Sequence, residues 1–234
     1  MQNKVLLIHG LNNTLESFRP LQEKLISLNF NCVLICLPGH GENRQECPNL
    51  ELAMKKFDQL LKPHIKDDYT VVAFSQGALY FQLWLNKQVE NRPLKQVLLA
   101  PALSIRFFGI AEKIIAALPR VSIIPSQTPK QFRKYPFLFG WEYKILFKAA
   151  TEFSGLEIKL PVPTLVLIDP KDEVIDSISL KKVMDREHVR MIYFSRPYLK
   201  GKRPGKHHIL FHPDYFSQSD WEKIIKTIND FLKT

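Results

Sequence analysis

The sequence predicts an α/β fold built on a mostly parallel sheet of about six strands with helices on both faces. Two observations carry that expectation. Short, continuous apolar runs recur along the chain, as strands buried on both faces require. Between them lie stretches with apolar residues at helical spacing, and strand–helix alternation is the pattern of a doubly wound sheet.

The strand candidates are Lys4–Ile8, Cys32–Cys36, Thr70–Phe74, Gln96–Leu99, Thr164–Ile168 and Met191–Phe194. Between the first two, Leu15, Phe18, Leu21, Leu25 and Leu28 form a helical stripe. Asn49 is a plausible N-cap for a helix over Leu50 to Leu61, because its short polar side chain can take an orphan N–H. A helix is expected over Ala78 to Val89. Trp221, Ile224, Ile225, Ile228, Phe231 and Leu232 mark an amphipathic helix that starts near Ser219-Asp220. The whole chain, 1–234, reads as one domain of a size that buries a substantial core.

One segment departs from the alternation. Residues 101–160 separate two strands by far more than the ~12 residues a helical crossover needs. The segment is rich in Phe, Ile and Pro. Ile105, Phe107, Phe108, Ile110, Ala111, Ile114, Ile115 and Leu118 predict a helix apolar over most of its surface. Such an insertion is expected to sit as a small helical cap over the rim formed by the strand carboxyl ends. Phe107, Phe108, Ile114, Phe137 and Phe139 are then candidates to line an apolar pocket.

The chemistry centres on Ala73-Phe74-Ser75-Gln76-Gly77. A strand runs into a serine with a small residue two places away on each side, and a helix follows. This is the layout of a nucleophile elbow, in which a tight turn exposes the serine at the helix N-terminus. The usual first small residue is glycine; here it is Ala73. A serine hydroxyl needs a base before it attacks anything. Asp169 and Asp172 follow the strand Thr164–Ile168, and His207 and His208 follow the last strand. An Asp in such a turn also serves simply to cap its own backbone.

The order Ser, Asp, His, with each group past a strand end, resembles the α/β-hydrolase superfamily, in particular its esterase and monoglyceride-lipase-like branch. His9-Gly10 after the first strand and Pro38-Gly39-His40-Gly41 after the second belong to the same resemblance, which spans almost the whole chain. By the same resemblance, the first strand is expected to be the one bearing the oxyanion loop, with the family's two leading strands then missing. The resemblance implies Ser75 as nucleophile, His208 as base and Asp172 as the orienting acid. His207 and Asp169 are the alternatives. It also implies an oxyanion hole made by the backbone N–H groups of Leu11 and Gln76, structural roles for His9 and His40, and an acyl-enzyme route for a carboxylic ester with an apolar acyl group. Thioesterase, lipase and proline-type aminopeptidase activities share this machinery. The rival reading is a catalytically silent ligand-binding or membrane-associating module on the same fold.

Composition narrows the partners. No run approaches the ~20 apolar residues of a membrane span, and the N-terminal apolar run is too short for a signal sequence, so a cytoplasmic protein is expected. Cys32, Cys36 and Cys47 make no disulfide framework. Cys32 and Cys36, four apart on a strand, lie roughly 13 Å from each other, beyond bridging reach. They read as buried thiols, while Cys47 lies in a loop, a position that allows exposure, with nothing near it to activate a thiolate. No G-x-G-x-x-G or Walker pattern appears, so no nucleotide cofactor is expected. His207, His208 and His212 lack the acidic or cysteine partners of a metal site. Net charge is +10, concentrated in Arg190, Arg196, Lys200, Lys202, Arg203 and Lys206. That run fits either a solvated face or contact with an anionic membrane surface. It has no nucleic-acid-reading motif. The sequence leaves the oligomeric state open.

Overall fold

The computed structural model describes residues 3–41, 44, 47–88, 90–157, 162–195 and 207–234. Six strands form one sheet: β1 (Lys4–Ile8), β2 (Asn31–Ile35), β3 (Tyr69–Phe74), β4 (Gln96–Leu99), β7 (Thr164–Ile168) and β8 (Val189–Tyr193). They lie in the order β2-β1-β3-β4-β7-β8, each parallel to its neighbours. The four central strands are almost wholly buried, which explains why they read as unbroken apolar runs. The two edge strands are half-exposed, and there the expected bounds shift by one or two residues.

The helices form two groups. α1 (Arg19–Ser27) touches the C-terminal α7 (Gln218–Lys233). α2 (Leu50–Leu61), α3 (Gln76–Asn86) and α5 (Gly140–Ser154) touch one another. α2 covers its expected residues, with Asn49 Oδ1 accepting from the N–H of Leu52 at 2.9 Å. α7 is capped by Ser217 and buries Trp221, Ile224, Ile225, Ile228 and Leu232. A short helix α6 (Ser177–Val183), capped by Asp176, links β7 to β8.

Between β4 and β7 the chain builds α4 (Phe108–Ala117), a two-stranded antiparallel pair β5 (Ile123–Pro125) and β6 (Phe137–Phe139), and then α5. Here the structure corrects the sequence reading. The apolar helix does not extend back to Ile105. That residue forms a bridge with Ile175, and the N–H of Arg106 donates to Val174 O, so residues 105 and 106 are tied to the loop after β7. Cys47, whose exposure its loop position left open, is 2% exposed, within the core. Cys32 and Cys36 are only partly buried, and burial still pushes the Cys32 thiol up to about 12. None of the three is in a disulfide. Of the basic run, Arg196, Lys200, Lys202, Arg203 and Lys206 lie outside the described residues. Among the described residues no helix is long and apolar enough to cross a membrane.

Candidate active site

β3 ends at Phe74, and Ser75 turns the chain with φ 50° and ψ −117°. A non-glycine residue held there costs on the order of 1–3 kcal/mol, so the surroundings must over-determine it. They do. The N–H of Ser75 donates to Leu99 O at 3.0 Å, and its carbonyl accepts from Leu79 and Ala102, both at 3.1 Å. A side chain at Gly77 would place Cβ 2.2 Å from His9 O and 2.8 Å from Ile8 Cγ2, so only glycine fits there. Ala73 is different. It pairs with Ile8 and Leu98, and its methyl is fully buried. The first small position of the elbow therefore accepts one carbon and the second accepts none.

The side chains of Ser75, His208 and Asp172 meet in a line. His208 Nε2 lies 2.9 Å from Ser75 Oγ, and His208 Nδ1 lies 2.9 Å from Asp172 Oδ2. Asp172 is fully buried, and its Oδ1 accepts from the N–H groups of Val174 and Ile175, both at 2.8 Å. Burial pushes its carboxyl up. The neighbouring His208 and those two N–H groups outweigh this and hold it below the usual carboxylate value. An ionised Asp172 can only accept, so the proton of His208 sits on Nδ1 and Nε2 offers its lone pair to the serine hydroxyl. The ring is braced against Phe74 at 4.8 Å between centroids, and the His208 N–H donates to Glu173 Oε2 at 3.1 Å.

The two alternative residues pair with each other. His207 Nδ1 lies 2.8 Å from Asp169 Oδ2, and Asp169 Oδ1 accepts from the N–H of Lys171 at 2.9 Å. Two adjacent histidines thus dock side by side on two aspartates of one loop.

The N–H of Gln76 opens α3 directly after Ser75, and the N–H of Leu11 lies in the loop after β1, next to Gly10. Among the described residues neither N–H has an acceptor. A Cβ on Gly10 would stand 2.7 Å from the Phe74 ring and 3.0 Å from Ser75 Cβ, so this loop lies directly on Ser75. Two buried histidines fix it. His9 Nε2 accepts from the N–H of Leu37 at 3.0 Å and Nδ1 donates to Gly10 O at 2.8 Å. His40 Nε2 accepts from the N–H of Asn12 at 2.7 Å and Nδ1 donates to Pro38 O at 3.1 Å. Asn12 also clasps the insertion: its side chain bonds Ser126 Oγ at 2.7 Å and both the carbonyl and N–H of Tyr135, at 2.8 and 2.9 Å.

Burial lowers His9 to about 3 and His40 to about 4, from an ordinary 6.5. The unfolded chain takes up these protons near 6.5 and the folded chain refuses them until the pH is much lower, so stability falls as pH falls across that window. The steepest slope expected from the pair is about 2.7 kcal/mol per pH unit. Urea midpoints at pH 7, 6 and 5 should drop in step, and His40→Gln should flatten the trend. A midpoint unchanged over that range would rule out the neutral pair.

Beside the N–H groups of Leu11 and Gln76 lies a narrow cleft lined by Leu11, Gln76, Tyr80, Trp141, Glu142 and Ile145, with a cavity volume of ≈ 10 Å³. Three of these belong to the insertion, but not the aromatic residues expected from the sequence. Phe107 is 78% exposed and Ile114 58%, so both face solvent. Phe137 and Phe139, with Tyr135, instead surround the guanidinium of Arg44, at 5.4, 4.4 and 4.3 Å from the ring centroids. Arg44 also pairs with Glu142, whose carboxylate accepts from the N–H of Phe139 at 2.7 Å. The sequence reading missed this pair, which pins the loop after β2 to the base of α5. A lone Arg and a lone Glu so far apart in the chain gave no signal. Among the described residues no cluster of His, Cys, Asp and Glu is arranged to hold a metal ion.

Comparison with known proteins agrees with this architecture. The chain is similar in structure to a metagenome-derived lipolytic enzyme of the LipS and LipT pair (TM-score 0.74, 14% identity, covering 100% of this chain and 94% of the other). It is similar to a monoacylglycerol lipase from Paleococcus ferrophilus (0.72, 15%, covering 97% and 94%). Another similar structure is the mouse alpha/beta hydrolase domain-containing protein 10 (0.68, 19%, covering 98% and 89%). These identities bear on the fold alone. No curated sequence matches. Residues 5–218, from the first strand into the last helix, match the sequence profile of the Alpha/beta hydrolase family, and the chain belongs to that family.

Proposed function

We propose that the protein is a serine hydrolase that cleaves a carboxylic ester, or a thioester, through an acyl-enzyme on Ser75. The observation that carries this reading is the unbroken line from Ser75 Oγ through His208 to Asp172, with two contacts of 2.9 Å. His208 Nε2 takes the hydroxyl proton as Oγ attacks the acyl carbon. The N–H groups of Leu11 and Gln76 hold the resulting oxyanion, where losing one such donor typically costs ~3 kcal/mol. His208 then gives the proton to the leaving alcohol, and later activates the water that frees the acid. Asp172 holds the productive tautomer throughout. The reaction needs no cofactor. The segment 101–160 acts as the cap: its Trp141 and Ile145 face the oxyanion side of the site and supply an apolar wall. This cleft is lined by neither Ser75 nor His208 and admits about one water-sized group, so we propose a small acyl group on the oxyanion side of Ser75.

A fluorophosphonate probe should label Ser75, and the Ser75→Ala variant should not react. Across nitrophenyl esters from acetate to palmitate, kcat/KM should peak at the short end. A folded protein that takes no label and hydrolyses none of the esters is a silent scaffold, and the proposal falls.

A further inference from the structure

We propose that the outer face of α4 and the turn after it form a docking surface for an anionic lipid bilayer. This goes beyond the chemistry proposed at Ser75 and does not depend on it. The starting point is an anomaly. α4 is made mostly of apolar residues, yet none of its residues is buried. A helix that is apolar most of the way round normally sits inside a protein. Phe107, Ile110 and Ile114 are 78%, 64% and 58% exposed, and Val121 and Ile123 follow at 76% and 65%. Positions 107, 110 and 114 share one helix face. Large apolar side chains gathered in one segment mark a contact surface rather than ordinary scatter. Phe107, the cap residue of α4, is also held in the left-handed region with φ 51°, an uncommon conformation for a bulky residue.

Charge selects the occupant. Lys113 stands beside Ile110 and Ile114 on the helix, and Arg120 precedes Val121; both are exposed. The acid of the helix, Glu112, lies round the other side and accepts from Thr151 Oγ1 of α5 at 2.8 Å. Apolar residues interleaved with cations match a surface of acyl chains under anionic headgroups. A second copy of this chain fits poorly, because each copy carries a net charge of +10. The ten residues of α4 span about 15 Å, half a bilayer core. The helix would therefore lie in the interface plane and not cross it. Its base is anchored: Arg106 Nε donates to Asp172 O at 2.7 Å. A docked α4 places the rim of the candidate site next to the lipid.

The test is flotation of the full chain with vesicles of phosphatidylcholine alone and with added phosphatidylserine. Partitioning into the anionic vesicles should exceed that into neutral ones by about tenfold and weaken in high salt. The double substitution Ile110→Ser with Ile114→Ser should lower it by about tenfold, and Lys113→Gln with Arg120→Gln should remove most of the salt dependence. All four side chains are exposed, so melting temperature and fluorophosphonate labelling should stay at wild-type values. Three results overturn the proposal: no vesicle association, association unaffected by the isoleucine substitutions, or self-association in solution that those substitutions abolish, which would make a second copy the occupant. Loss of the esterase reading with vesicle binding intact would leave it standing.

Discussion

Substituting Asp172→Asn is expected to lower kcat by about 10⁴-fold while the fold and KM stay close to wild type. The amide oxygen can still accept from Val174 and Ile175, as Asp172 Oδ1 does now. The amide nitrogen then faces His208 Nδ1, and a nitrogen that donates there forces Nδ1 to accept. The ring proton moves to Nε2 and points at Ser75, where a lone pair is needed. His208→Ala should cost as much or more, since groups that act as a unit fail together. Asp169→Asn is the control. It alters the same loop by the same chemistry, but its partner is His207, which does not meet Ser75, so a loss below about tenfold is expected. Single-turnover kinetics on a nitrophenyl ester, with melting temperatures for each variant, would decide. An active Asp172→Asn beside a folded, inactive Asp169→Asn would transfer the acid role to Asp169.

That pair of aspartates shows where the sequence stops being legible. The strand Thr164–Ile168 is plain because all five residues are buried, and it delivers both acids to the site. Which acid serves the base depends on which histidine each one meets, and adjacent residues in a turn carry no periodicity to decide that. Resemblance to a family favoured Asp172 with His208. The side-by-side pairing of His207 with Asp169 came only from the structure. The sheet was easier, because burial on both faces leaves continuous apolar runs that nothing else in the chain mimics.

The insertion was the opposite case. Spacing marked a long segment between β4 and β7, but its interior was not legible. β5 and β6 are three residues each, one of them ending in a proline, too short for alternation to show. The aromatic residues of 137–139 suggested a pocket wall and instead enclose the Arg44 guanidinium. The most apolar helix turned its residues outward. Apolar composition says that a surface wants cover; it does not say whether protein, substrate or another phase supplies it. The burial of Cys47 was not legible for a related reason. A loop between polar residues allows exposure, yet this one folds inward and puts the thiol beside Tyr80 and Trp141 along the cleft.

Gly77→Ala is expected to be the most damaging single-carbon change at the elbow. The added Cβ would come within 2.2 Å of a backbone oxygen, His9 O, and 3.0 Å of Ile8 O. Backbone cannot swing aside as a long side chain can, so either α3 or the end of β1 must shift. Overpacking of this kind costs about 3 kcal/mol or more, a fall in melting temperature of roughly 6–12 °C for a chain of this size. Activity should fall further than stability explains. The atom struck belongs to His9, two residues before the Leu11 N–H proposed as an oxyanion donor, and a small misplacement of such a donor is enough to cost about 10²-fold in rate. The matching test is Ala73→Gly, which restores the glycine that nucleophile elbows usually carry at the other small position. There the methyl sits comfortably in the core between Ile8 and Leu98. Removing it should cost about 1 kcal/mol, from lost burial and a freer unfolded backbone, with turnover near wild type. If Gly77→Ala melts and turns over like the wild type, the close packing of α3 against the oxyanion loop is wrong, and with it the placement of both N–H donors.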